Sequence, residues 1–225
     1  FNVSDWGGER LKEDVRWKYG VPPAANANYA WLQHIVHHLK PNGRAGIVLA
    51  NGSMSSNHNN EDVMRKAMLE ADLIDVMIAL PSQLFFSTQI PACLWFLSKN
   101  KKTRKGQVLF INARKLGSMI SRSQSELNSK TIEKITKTIS EWRNEGNKYE
   151  DVAGYCRSVS LSEIKEHRNM LTPGQYVGGE NVEDNNEDFT VKILQLTQKL
   201  KEQKIRGAKL DLLIKEKLEK LGYDF

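Results

Sequence analysis

Three short apolar runs, Ala45–Ala50, Leu73–Leu80 and Ala92–Leu97, constrain the fold more than any other feature of this sequence. Each is bounded by turn residues, Asn42-Gly43 and Asn51-Gly52 around the first and Pro81 after the second. Runs this short, with no polar alternation, suit strands covered on both faces. Between the first two lies Glu61–Glu70, in which Val63, Met64, Ala67 and Met68 fall on one helical face. Strand, helix, strand predicts a βαβ unit and hence an α/β fold. In open α/β sheets ligands bind beyond the carboxyl ends of the strands. Chemistry is therefore expected to face the polar loop 51–60 and the stretch 81–88.

The 225 residues suffice for one sizeable α/β domain plus an appendage. The two cysteines are Cys93, inside an apolar run where a buried free thiol is expected, and Cys156. Two isolated cysteines suit a reducing, cytoplasmic setting. No run approaches the roughly 20 apolar residues of a membrane span, so no membrane partner is expected. A net charge of +6 is compatible with a nucleic-acid partner without demanding one. His34 and His38 have the four-residue spacing of a zinc pair, but a third ligand and the glutamate of an HExxH site are missing, and no metal is expected.

Elsewhere the periodicity predicts a helix over 24–40, with Tyr29, Leu32, Ile35, Val36 and Leu39 inward and Asn28 as its cap. A further strand is expected at Gln107–Asn112, and Ala113–Gln124 reads as irregular. The basic run Lys99–Lys105 is either a solvated hairpin tip or a DNA-phosphate contact. A helix over 129–145 carries Ile132, Ile135, Ile139 and Trp142 on one face, and Ser160 caps a helical turn at Leu161–Ile164. Residues 1–179 are expected to form one domain and the acidic, Asn-rich stretch 180–188 a linker. From 189 a long helix is predicted, with a heptad seam at Phe189, Ile193, Leu196, Leu200, Gln203, Gly207, Leu210, Ile214, Lys217 and Leu221. Gly207 costs about 1 kcal/mol of helix propensity, so a bend or break is expected there. A lone helix with such a seam needs a partner, either its own domain or, as preferred here, another chain.

Several motifs together resemble the C-terminal half of the methylation subunit of type I restriction–modification systems, which are adenine-N6 DNA methyltransferases. They are Ala30-Trp-Leu-Gln-His34, His38-Leu-Lys-Pro-Asn-Gly-Arg-Ala-Gly46, Leu49-Ala-Asn-Gly-Ser53 and Ile78-Ala-Leu-Pro81. Thr88-Gln-Ile-Pro-Ala-Cys-Leu-Trp-Phe-Leu97, Leu171-Thr-Pro-Gly-Gln-Tyr-Val-Gly178 and Leu221-Gly-Tyr223 complete the set. The resemblance implies the C-terminal half of a Rossmann-like methyltransferase sheet followed by a long C-terminal helix. In that fold the last strand is antiparallel, a part suited to Ala92–Leu97.

The family's catalytic loop is Asn-Pro-Pro-Phe, and Phe1-Asn-Val-Ser-Asp-Trp6 resembles the residues after its two prolines. By resemblance Phe1 stacks on the flipped adenine, at a site reached only after the base leaves the duplex. The catalytic Asn and both prolines, and most of the site for the cofactor S-adenosyl-L-methionine, are expected upstream of Phe1. This chain alone is then expected to be inactive. The family's chemistry rests on accepting hydrogen bonds from the adenine amine, which makes its nitrogen more nucleophilic. The methyl transfer itself is governed mainly by positioning. Asn51, Ser53 and Gln89 are expected on DNA-facing loops. Phe189, Ile193, Leu196, Leu200, Leu210, Ile214 and Leu221 are expected to dock a partner. The partners implied are DNA, a specificity subunit, a second methylation subunit and a restriction subunit. The alternative is a non-catalytic module that assembles DNA or subunits.

Overall fold

The computed structural model describes residues 3–144, 148–179, 189–220 and 222. The chain divides into two compact units, Phe1–Glu180 and Asn181–Phe225.

In the first unit, α1 (Asn28–His38), β1 (Arg44–Ala50), α2 (Glu61–Glu70), β2 (Ile74–Ala79), β3 (Ala92–Ser98) and β4 (Gln107–Asn112) occur in that order. A small hairpin, β5 (Ser118–Met119) and β6 (Ser125–Glu126), precedes α3 (Ser129–Arg143), β7 (Cys156–Ser160) and α4 (Leu161–Glu166). The main sheet has the order β1-β3-β2-β4-β7. β3 lies antiparallel between β1 and β2, pairing Arg44 with Ser98 on one side and Ala79 with Cys93 on the other. β4 joins β2 in parallel and β7 joins β4 antiparallel.

The predicted strand–helix–strand unit is present, but its two strands are not neighbours, because the antiparallel β3 is inserted between them. A register shift between Ile74 and Val76 sends Ile74 and Met77 to one face of β2, and Val76 and Ile78 to the other. On the first face they meet Tyr29, Leu32 and Val36 of α1 and Met64, Met68 and Leu69 of α2. On the second they meet Ile135, Ile139 and Trp142 of α3. Helices thus cover both faces, and β2 is buried at every position. Each such aliphatic side chain contributes roughly 1.5–3 kcal/mol.

Four expectations are corrected here. β1 is not covered on both faces: it borders the sheet, and Arg44, Gly46 and Val48 are exposed. On α2 the inward residue is Arg65 rather than Val63, because three oxygens from two other segments converge on its guanidinium. Ile132 is half exposed, so the inward face of α3 starts one turn later. Asn28 lies inside α1, which starts after Ala27, and Asn28 N–H donates to the side chain of Asn26. The caps of the later helices read more simply: Asn128 accepts from Thr131 N–H, and Ser160 from Glu163 N–H.

The second unit contains α5 (Phe189–Lys220), 32 residues running through Gly207 without interruption. The expected break is absent, since a single glycine costs less than the flanking helical turns retain. Ile193, Leu196, Leu200, Leu210 and Ile214 are each about half exposed or more. Phe189 opens the helix, but its side chain lies outside the described ones, as does Leu221. A second apolar row, Leu194, Ile205 and Leu212, is also exposed and lies outside the heptad seam. No helix among the described residues is long and apolar enough to cross a membrane.

Candidate functional site

β1, β2 and β4 run in the same direction, so their carboxyl ends share one end of the sheet. Three segments leave it: 51–60, 80–91 and 113–128.

The first is held from beneath. Ser53 Oγ donates to the Ala50 carbonyl (2.8 Å) and accepts from Trp95 Nε1 (3.0 Å), while the Ser53 carbonyl accepts from the Tyr29 hydroxyl (2.9 Å). Leu171 N–H donates to the Met54 carbonyl (3.0 Å). Arg65, fully buried, donates to the Ser56 carbonyl (2.7 Å), to Asn57 Oδ1 (3.0 Å) and to the Asn169 carbonyl (2.7 Å). Ser53 is therefore not a DNA-facing residue: it is 1% exposed and its hydroxyl is spent on the fold. Burial pushes the thiol of the neighbouring Cys93 up, leaving it unreactive. Asn51 is half-buried, and its Oδ1, enclosed by the loop, accepts no hydrogen bond. Asn59 and Asn60 take left-handed backbone angles, which asparagine tolerates.

The second segment carries Gln89, exposed as expected, and Phe86, whose side chain is 95% exposed. Gln83 N–H closes the loop on the Gln89 carbonyl, and Gln83 sits at φ 63°. A left-handed glutamine costs roughly 1–2 kcal/mol, strain of the kind that gathers at functional loops. Phe86 was legible only as one of two adjacent phenylalanines in the sequence. Its exposure depends on the tight turn that brings Phe85 opposite Thr88.

The third segment is irregular over most of 113–124, as expected, but carries the two-residue strand β5. It starts where Ala113 N–H donates to the Ala79 carbonyl, and a Cβ on Gly117 would come within 2.9 Å of Pro81. Ser125 N–H donates to the Gln83 carbonyl (2.8 Å), which ties this hairpin to the Phe86 loop. A cavity of about 220 Å³ beside it is lined by Asn112, Leu116 and Tyr155, with Lys115 and Lys134 as its charged residues.

The opposite end of the sheet is different in kind. The basic run 99–105 is solvated at Lys99, Lys102 and Lys105, but Lys101 and Arg104 turn inward. Lys101 is 1% exposed and pairs with Asp72 (2.5 Å), and burial holds its ammonium below the usual range against the pull of that carboxylate. Arg104 is buried over the ring of Trp142, with Nε and Nη1 unpartnered. Asp75, wholly buried, holds Arg143 through Oδ2 (2.6 Å). Lys99 Nζ donates to the Leu39 carbonyl (2.5 Å). A cavity of about 580 Å³ beside Arg104 and Trp142 belongs to this charge cluster, since Trp142 Nε1 and Ser158 Oγ already bond each other there.

Phe1 lies outside the described residues. No group of three or more metal-ligating side chains occurs among the described ones.

The sequence profile of the N-6 DNA methylase family matches residues 1–185. The chain is 50% identical over 224 residues to the type I restriction enzyme HindI methylase subunit of Haemophilus influenzae, covering 100% of this chain and 50% of that protein. It is 40% identical over 234 residues to the MjaIX methylase subunit of Methanocaldococcus jannaschii, covering 99% of this chain and 41% of that one. The crystal structure of a type I restriction–modification methyltransferase subunit from Streptococcus thermophilus superposes with a TM-score of 0.70 at 32% identity, over 80% of this chain and 36% of that one. The chain thus spans half the length of the first of these relatives and less of the others.

Proposed function

The chain belongs to the N-6 DNA methylase family, and from that premise we propose that it is the C-terminal part of a type I methylation subunit. In this reading the subunit transfers a methyl group to N6 of adenine in duplex DNA, with a specificity subunit choosing the sequence. One observation carries the reading: three loops leave the carboxyl end of the sheet, the first tied to the core and the other two to each other, and the second raises Phe86 95% into solvent. An exposed aromatic on a braced loop is a stacking platform for an unpaired base. Flipping a base costs a few kcal/mol, and stacking returns roughly 1–3 kcal/mol. Phe1 keeps the stacking role that the resemblance gives it, and Asn51 and Gln89 rim the same cleft. Arg65, Tyr29 and Trp95 act through the 51–60 loop by fixing it.

S-adenosylmethionine supplies the methyl group. The described residues do not fit it. Besides a carboxylate it carries a sulfonium and an ammonium charge, and the cavity at this end, with lysines as its charged residues, has no acid for them. The donor is therefore assigned to parts of the protein outside this chain, and this chain alone is proposed to be inactive. The exposed seam of α5, with its second row at Leu194, Ile205 and Leu212, is proposed to dock the specificity subunit. A second methylation subunit and the restriction subunit complete the proposed assembly.

The test is radiolabelled methyl transfer by the full-length protein with its specificity subunit, comparing wild type with Phe86→Ala and with a truncation at Gly179. Loss of rate in the first variant and loss of the complex in the second support the reading. Wild-type rates in both variants contradict it.

A further inference from the structure

The outer face of α1 carries an aromatic slot that the core does not use. Tyr29, Leu32 and Val36 turn inward. Ala27 at the cap, with Ala30, Trp31 and His34 at helical spacings of three and four, lines a cavity of about 160 Å³ on the other side. Trp6 and Trp17 close it from the segment before the helix, their rings edge to face at 5.9 Å. Each is fixed at its nitrogen: Trp6 Nε1 donates to the Pro23 carbonyl (3.1 Å) and Trp17 Nε1 to the Leu11 carbonyl (2.5 Å). Gly7 turns the chain at φ 77°, and a Cβ on Gly8 would come within 2.6 Å of the Trp6 ring. Trp31, in contrast, is 51% exposed. A half-exposed ring beside a braced aromatic cavity has the make-up of a ligand site. The start of α1 is also tied to the carboxyl end of the sheet, through the Tyr29 hydroxyl and the Ser53 carbonyl.

The chemistry of the slot selects its occupant. An apolar cavity of about 150 Å³ takes one benzene ring, so this one suits a single six-membered ring rather than a fused pair. Arg16 stands in the wall, but its guanidinium is spent on Asp14 (2.6 and 2.7 Å) and on His34 Nδ1 (2.7 Å). A guanidinium only donates, so His34 Nδ1 accepts and the ring proton sits on Nε2. That nitrogen has no hydrogen-bond partner among the described residues. Residues 3–34 carry four acids and four bases, so net charge does not select a phosphate here. The slot asks instead for a ring with an acceptor on its edge.

We propose that this slot receives the thymine left unpaired when the target adenine leaves the duplex, stacked on Trp31 with a carbonyl oxygen accepting from His34 Nε2. The proposal rests on the DNA reading above and deepens it. Extruding an adenine strands a pyrimidine, the class of base with one six-membered ring. Thymine offers two carbonyl oxygens to the His34 donor, and its methyl group suits the small apolar floor at Ala27 and Ala30. Trp6 follows Phe1 by five residues, which span at most about 18 Å. One stretch of chain is thus long enough to hold both halves of the opened pair. A phenyl or leucyl side chain of a protein partner would fill the volume but leave the His34 donor unmet.

The experiment is permanganate oxidation of the thymine opposite the target adenine, in cognate duplex bound by the full-length protein with its specificity subunit, read together with affinity. Permanganate attacks the C5–C6 double bond of an unstacked thymine and spares a stacked one. The wild-type complex is expected to protect this thymine. Trp31→Ala is expected to expose it and to weaken binding roughly 5- to 150-fold, the worth of one stacked base. Trp31→Phe should restore protection. On a duplex with an abasic site in place of that thymine, Trp31→Ala should bind as tightly as wild type. Trp31 is half in solvent, and unchanged thermal melting confirms folding. If the thymine is reactive in the wild-type complex, the base pair opens but the slot proposal falls and the DNA reading stands. Equal protection and equal affinity in wild type and Trp31→Ala also overturn the slot alone. If wild type neither binds nor methylates the duplex, both readings fall. Loss of the subunit complex in Trp31→Ala, with the thymine still protected, assigns the slot to a protein partner and overturns the proposal.

Discussion

The two ends of the sheet use charge in opposite ways. At the amino end, the run 99–105 holds five cations in seven residues, the densest basic cluster in the first unit, yet Lys101 and Arg104 are buried against Asp72, Asp75 and Trp142. At the carboxyl end, two loops have no formal charge and the third has three scattered cations and one acid, Glu126, yet there Phe86, Met119 and Ile120 stand in solvent. A charge run in a sequence therefore says little about a surface. Two aspartates at the start of β2 draw the run inward, and nothing in the run itself announces that. The end that holds Lys101 and Arg104 inside, while Lys99, Lys102 and Lys105 stay exposed, is the structural one. The end that spends buried hydrogen bonds on its loops and leaves rings outside is the one suited to a ligand.

The largest effect is expected at the amino end. Asp75→Ala leaves Arg143 and the neighbouring Arg104 without their buried counter-charge and should cost about 3–5 kcal/mol by urea unfolding. A loss below about 1 kcal/mol would remove the structural reading of that end. Next, Ser53→Ala strands Trp95 Nε1 and should destabilise by roughly 1–3 kcal/mol, with any loss of methylation tracking loss of fold. An exposed, DNA-reading serine would instead lose activity at full stability. Phe86→Ala reverses that pairing. Stability should stay within about 0.5 kcal/mol, while methyl transfer drops by the roughly 1–3 kcal/mol of one stacking contact, read as kcat/KM on duplex substrate. The smallest effect concerns His34. Arg16 Nη1 lies 2.7 Å from His34 Nδ1, and a guanidinium only donates, so the ring is neutral. Burial, then His38 and Arg16, hold its pKa below the usual 6.5. A depressed histidine stabilises the fold above pH 6.5, and that contribution is lost as pH falls through the folded value. Wild type should thus lose slightly more melting temperature than His34→Gln between pH 7.5 and 5; equal losses would show that the contact carries nothing.

The sheet was legible because β2, with no polar alternation over its apolar stretch, can only be a strand covered on both faces. The family motifs gave β3 its antiparallel direction, which periodicity alone did not, but not its place between β1 and β2, since strand order depends on contacts between distant residues. The caps Asn128 and Ser160 act through local hydrogen bonds, and Ser160 was read from sequence. Ser53 was misread because a serine in a polar loop carries no mark of the Tyr29 and Trp95 side chains that bury it. Phe86 and the β5–β6 hairpin were missed for a related reason. Short strands of two residues have no periodicity, and exposure of a ring is decided by the turn beneath it.

The most direct test of the account is amide hydrogen exchange of the full-length protein with its specificity subunit, with and without cognate duplex DNA. Slowed exchange is predicted at residues 52–60, 83–90 and 118–125, with no change at 99–105. Protection of 99–105 with none at the three carboxyl-end loops would contradict it.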